Sequence, residues 1–141
     1  MPCKPNVVEI DVSIGVSDLK KARDFYDVVF LALSYVRVHD VEVPGMGLVA
    51  HGYGEAGAQA RFWIGVPDKI DAAANRAGGN HFAFQAKSRL EVDAFYLAAI
   101  RGGAKDNGAP GIRAHYHPNY YGAFAFDPDG NKIEACCHLP E

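Results

Sequence analysis

Apolar and polar residues along this 141-residue chain fall into short runs of two different periods, and the order of the runs occurs twice. Residues 8–16 alternate imperfectly and are rich in β-branched side chains, the pattern of a strand. Ser17-Asp18 then supplies an N-cap. Leu19, Ala22, Tyr26 and Val29 fall on one stripe with Phe25 beside it, so the spacing predicts an amphipathic helix over 18–31. Three more strands are predicted at 34–43, 47–53 and 61–66, broken at Pro44-Gly45 and around 54–57.

The pattern then restarts. Residues 80–86 read as a strand and Ser88 as a second cap. Val92, Phe95, Tyr96 and Ala99 form a second stripe, which Gly102-Gly103 ends. Residues 104–119 are rich in Gly, Pro, Asn and His and read as a long loop holding a short strand. Strands at 121–126 and 132–137 close the chain, joined by Asp127-Pro128-Asp129-Gly130-Asn131, whose Asp-Gly step signals a tight turn. A shift of 70 residues places Phe25-Tyr26 on Phe95-Tyr96, and Val12, Ile14 and Val16 on Phe82, Phe84 and Ala86. It also places Asp11 on His81. One apolar-faced βαβββ unit cannot bury its own face, so two units sharing a core are expected. Their bounds are 6–66 and 79–139, with a linker near 67–78, inside one domain spanning 1–141.

Composition narrows the choice of function. At 49% apolar and 22% charged residues the chain has the balance of a globular protein. The net charge is −3 and the longest basic cluster, around Lys20-Lys21, is interleaved with Asp18, Asp24 and Asp27, which excludes a nucleic-acid footprint. No apolar run approaches the roughly 20 residues of a membrane span, and the start of the chain lacks a secretory leader, so a cytoplasmic protein with no membrane partner is expected. Three cysteines, two of them adjacent (Cys136 and Cys137), make a poor disulfide framework and read as packing residues on opposite faces of a strand.

Three stretches carry a family resemblance. Asp11-Val12-Ser13-Ile14-Gly15-Val16-Ser17-Asp18-Leu19, followed by Phe25-Tyr26, is similar to the opening of a vicinal oxygen chelate module; Asn80-His81-Phe82-Ala83-Phe84 is similar to the matching strand of the second module. Phe126-Asp127-Pro128-Asp129-Gly130-Asn131-Lys132-Ile133-Glu134 resembles the closing hairpin of that superfamily almost residue for residue. The superfamily includes glyoxalase I, the bleomycin-resistance proteins and the extradiol dioxygenases. The resemblance implies an α+β fold of two βαβββ modules forming a curved mixed sheet around a cleft. It implies a divalent ion (zinc, manganese, iron or nickel) held by Asp11, His81 and Glu134, which would converge on the concave face. It also implies a homodimer, in keeping with the open sheet edges that need cover. The chain departs from the glyoxalase I pattern twice: Asp11 replaces a histidine, and 61–65 offers no carboxylate.

A His with two carboxylates suits a divalent ion with exchangeable positions, able to hold two neighbouring oxygens of a small oxygen-rich substrate for lyase, isomerase or dioxygenase chemistry. Glu134 doubles as a candidate proton shuttle. Read alone, His81 equally fits a hydrogen-bonded strand histidine and Asp11 a surface carboxylate. Glu134, between apolar neighbours, is the more specific signal, since a charge there needs a partner. Strand alternation puts it with Lys132 and Cys136, opposite Ile133, Ala135 and Cys137. Candidate substrate-binding residues are Arg113, suited to forked carboxylate recognition, and His115, His117 and Tyr121 in a recognition loop, with Trp63 as core or pocket wall. In an extended chain His115 and His117 would also share one side. The alternative function is a metal-free ligand-sequestering protein of the bleomycin-resistance type.

Overall fold

The computed structural model describes residues 10–67 and 80–141. The expected linker therefore lies outside the described residues apart from Pro67. In chain order the elements are β1 (Val12–Gly15), α1 (Leu19–Leu31), β2 (Val36–Val43), β3 (Gly47–Gly54), β4 (Phe62–Gly65), β5 (His81–Gln85), α2 (Arg89–Arg101), β6 (Lys105–Asp106), β7 (Gly111–Ile112), β8 (Tyr121–Phe126) and β9 (Lys132–Cys137). The long loop before β8 thus holds two short strands where one was expected.

Local chemistry starts each helix where the sequence places it. The Asp18 carboxylate accepts from the Lys21 backbone amide at 3.0 Å, and the Ser88 hydroxyl accepts from the Glu91 amide at 3.2 Å. The Glu91 side chain reaches back past the cap to the Lys87 amide, fastening the entry of the chain into α2. Each helix then buries its apolar stripe: Ala22, Phe25, Tyr26, Val29 and Phe30 on α1, and Val92, Phe95 and Ala99 on α2.

The α+β class holds, and one plan is built twice. The first sheet has the order β1-β4-β3-β2 and the second β5-β9-β8-β6, with β7 also on β8. In both, the first and last strands run parallel and the rest antiparallel. The ladder does not continue from one sheet to the other; edge strands β1 and β5 instead flank a shared cavity of about 570 Å³. The core lies between sheets and helices. Ile14, Phe62 and Ile64 enter it from the first sheet, and Ala123, Ala125, Ile133, Ala135 and Cys137 from the second. The rings of Phe30 and Phe62 lie 4.9 and 5.1 Å from that of Phe84 across the junction. Among the described residues no helix is long and apolar enough to cross a membrane.

The turn between β8 and β9 fastens the second half to the first. Asp127 is buried and accepts four hydrogen bonds: from the amides of Asp129 and Asn131, from the Asn131 side chain, and from the Tyr26 hydroxyl of α1 at 2.6 Å. Asp129 takes the Ser17 amide, and the Asn131 side chain reaches the Gly15 carbonyl. Gly130 supplies the positive φ the turn requires.

Two outcomes follow for stability. Asp127→Ala leaves several buried donors without an acceptor and should destabilise the protein by about 3–4 kcal/mol, against about 1–2 kcal/mol for Tyr26→Phe, read by chemical denaturation. Burial first, and the Asp127 charge second, push the Tyr26 hydroxyl far above its ordinary value; burial and Asp27 do the same to Tyr53. Their protons stay on in the folded state, while an unfolded tyrosine releases its proton near pH 10. This contribution is complete below about pH 10 and is lost as pH rises further, by up to about 1.4 kcal/mol per pH unit per tyrosine. Denaturation midpoints measured from pH 8 to 11.5 should therefore hold and then fall steeply.

Candidate active site

Alternation along β9 places Ile133, Ala135 and Cys137 in the core and leaves Lys132, Glu134 and Cys136 on the face away from the helices. Register adds His81 beside Lys132 and Ala83 beside Glu134 from β5, and Phe124 beside Glu134 from β8. The Glu134 side chain is only 2% exposed, whereas that of His81 is 40% exposed. A buried carboxylate requires donors, and it has two. The Tyr120 hydroxyl donates to Oε1, and His81 Nε2 lies 3.1 Å from Oε2. Burial, followed by the Glu134 contact, raises the Tyr120 hydroxyl above its ordinary range, so Tyr120 remains a donor.

A relay of polar groups continues from Tyr120. Its hydroxyl also lies beside the Cys136 thiol, which burial keeps protonated by raising its pKa. The His138 Nε2 is 3.6 Å from Cys136 Sγ, and His138 Nδ1 is 2.8 Å from His117 Nε2. The Asn119 amide donates to His117 Nδ1. That last bond fixes the tautomers: His117 carries its proton on Nε2 and gives it to His138 Nδ1, so His138 donates from Nε2 to the sulfur.

The expected residues divide into those that meet and those that do not. His81 and Glu134 are together. Asp11 is 62% exposed on the other sheet with Arg61 at 3.6 Å, and among the described residues no three His, Cys, Asp or Glu side chains converge on one point. The reason is the division into two sheets: equivalent strand positions in separate sheets do not meet. The Asp11–Arg61 pair repeats the register of His81 with Lys132, and Trp63 stands opposite Ser13 as Glu134 stands opposite Ala83. The first sheet therefore presents an indole, with His39 edge-on at 5.7 Å, where the second presents its carboxylate.

The segment before β8 is a series of turns, so side chains two apart do not share a side. His115 lies tilted against Tyr116 in solvent and His117 turns to His138. Tyr121 packs on the helix side and donates to Asp93 of α2 at 2.6 Å, so it does not line the face that carries Glu134. Tyr120, one residue earlier, takes that place. Arg113 lies over the Phe124 ring on the Glu134 face. Sequence reasoning missed Tyr120, Phe124, Lys132 and His138. Only Lys132 carried a signal, through its alternation with Glu134.

As a pair of donors, His81 and Glu134 fit a divalent ion. Two ligands about 2.0–2.2 Å from one ion stand roughly 3–3.5 Å apart, and 3.1 Å lies in that range. Nitrogen with carboxylate oxygen suits zinc, manganese or iron. Removing the Tyr120 hydroxyl (Tyr120→Phe) should destabilise the fold by about 1–2 kcal/mol by leaving Oε1 without a donor; a loss under 0.3 kcal/mol in urea denaturation would count against this contact.

The family model described as Glyoxalase/Bleomycin resistance protein/Dioxygenase superfamily matches residues 9–135. Among solved structures, a glyoxalase/bleomycin resistance protein from Albidiferax ferrireducens T118 is 29% identical, with a TM-score of 0.72 over 92% of this chain and 98% of that one. A glyoxalase/bleomycin resistance protein/dioxygenase family enzyme from Burkholderia phytofirmans PsJN is 18% identical (TM-score 0.68, 94% and 100% covered). A variant of the fosfomycin resistance protein FosX from Listeria monocytogenes, complexed with Mn(II) and 1S,2S-dihydroxypropylphosphonic acid, is 18% identical (TM-score 0.61, 92% and 90% covered). A comparison with curated proteins finds no match.

Proposed function

Because the chain belongs to the Glyoxalase/Bleomycin resistance protein/Dioxygenase superfamily, we propose that it is a divalent-metal-dependent enzyme acting on a small oxygen-rich substrate by lyase, isomerase or dioxygenase chemistry. The observation that carries this reading is the buried Glu134 carboxylate beside the half-open His81 imidazole, 3.1 Å apart on the face away from the helices. A buried carboxylate next to an accessible imidazole costs stability unless a cation or donor offsets it, and such pairs mark functional sites. His81 and Glu134 would hold the ion, and the FosX relative with Mn(II) supports manganese as one candidate.

When bound, the ion supplies charge for two neighbouring substrate oxygens. The protein's own part is positional. Tyr120 occupies Oε1 of Glu134 and leaves Oε2 facing His81, which fixes the carboxylate for proton transfer at the substrate carbon or oxygen it faces. Asp11 is the third ligand in this reading, and it reaches the pair only from a second copy, with the first sheet of one protomer laid over the second sheet of the other. That makes the active form a homodimer.

A metal-free ligand-sequestering protein is the second reading, favoured by Trp63 and His39, which give the first sheet an aromatic face in place of a carboxylate. Elemental analysis after manganese or zinc loading separates the two. The first reading expects about one ion per chain, lost by at least about tenfold in affinity on Glu134→Gln or His81→Ala in protein still folded by circular dichroism. Asp11→Asn should weaken the ion less and only in the dimer, whose mass light scattering reports. Wild-type protein that stays metal-free selects the second reading.

A further inference from the structure

We propose that Arg113 and Lys132 form an anion subsite on the Phe124 ring, beside His81, that takes the carboxylate or phosphonate end of a small substrate. The Arg113 guanidinium lies 5.5 Å and the Lys132 ammonium 5.2 Å from the centre of that ring. Phe124 is opposite Glu134 in the ladder, and Lys132 is opposite His81, so both cations border the proposed metal pair. Among the described residues neither meets a carboxylate, although the chain carries 17 acidic residues against 14 Lys and Arg.

The guanidinium is held in place without being neutralised. Its Nη2 donates to the Ala109 carbonyl at 2.7 Å. Glycines close around it: a Cβ on Gly108 would stand 3.2 Å from Nη2, and one on Gly111 3.1 Å from Nη1. A cation fixed by a neutral carbonyl, with two glycines leaving it room, keeps its remaining donors for a planar or tetrahedral anion. The ring adds attraction for cations but cannot cancel their charge. Two such charges repel each other and any divalent ion held by His81 and Glu134, a repulsion that an entering anion reverses. The inference extends the proposed function by giving the substrate's charge, and its cations do not depend on the ion.

The test is titration calorimetry of methylphosphonate, of propionate and of neutral 1,2-propanediol into metal-free and manganese-loaded protein, with metal content measured on the same samples. At least one anion should bind the metal-free wild type, and the preferred probe identifies the head group. Arg113→Gln and Lys132→Gln should each weaken it by about tenfold or more, and Arg113→Lys by less, while propanediol binding is unchanged by all three. Anion binding that persists in protein unable to take up manganese supports the subsite and removes only the metal reading. Wild-type protein that binds neither anion at millimolar concentration overturns the proposal, as do folded Gln variants that bind as tightly as wild type.

Discussion

Asp127 is a carboxylate buried at the meeting point of both halves of the chain, and its hydrogen bonds set the geometry on which the rest depends. Three of its four donors come from the turn itself, so the turn closes around the charge. The fourth is the Tyr26 hydroxyl, 101 residues away on α1. One group thereby fixes both the local register of β8 on β9 and the seating of that hairpin against the first half. A strand slipped by one residue would turn every side chain to the other face. In β9 that would exchange Ile133 and Ala135 for Lys132 and Glu134 in the core, which no local adjustment could repair. The tight turn and the position of Glu134 are one constraint seen at two places.

Holding Glu134 on the open face still leaves a carboxylate out of water. Its partners come from different parts of the chain, Tyr120 from the turns before β8 and His81 from the strand beside β9. The Tyr120 hydroxyl is kept protonated by burial and by the acid it serves. Through Cys136, the contact runs on to His138 and His117, whose tautomers are set by one backbone amide. The inner end is thereby a fixed acceptor and the outer end a pair of imidazoles near solvent. His81, by contrast, lies open beside cations that meet no carboxylate among the described residues. The face is hydrogen-bonded where it holds the carboxylate and open at His81.

The sequence made the frame legible because each of its signals is local. Capping residues, the 3.6-residue stripes and the Asp-Gly turn act within a few positions, and the helices begin at Asp18 and Ser88 as their chemistry requires. The face of Glu134 was legible for the same reason, since turn and alternation together decide it. The site's other members were not. Tyr120 and Tyr121 are adjacent and chemically identical, and only the start of β8 decides which one faces Glu134 and which one Asp93. His115 and His117 were read as members of a recognition loop, whose turns carry them to different neighbours instead of to the one side an extended chain would give. Alternation put Lys132 on the face of Glu134, but nothing in sequence shows that its cation shares a ring with Arg113.

The repeat explains why Asp11 was the hardest residue to place. Sequence self-similarity equates positions on strands, and here the equation is correct: Asp11 has the register of His81, and Trp63 that of Glu134. Equivalence under an internal repeat nevertheless puts two residues at matching points of two sheets, which keeps them apart within one chain. Convergence needs an operation that brings unlike faces together, and the described residues of one chain contain none. The two faces are also chemically different. One offers a buried acid, an imidazole and two cations, and the other an indole, a second imidazole and an exposed carboxylate beside arginine. Divergence of the repeat has given the two faces different chemistry, which a duplicated sheet with identical faces could not offer.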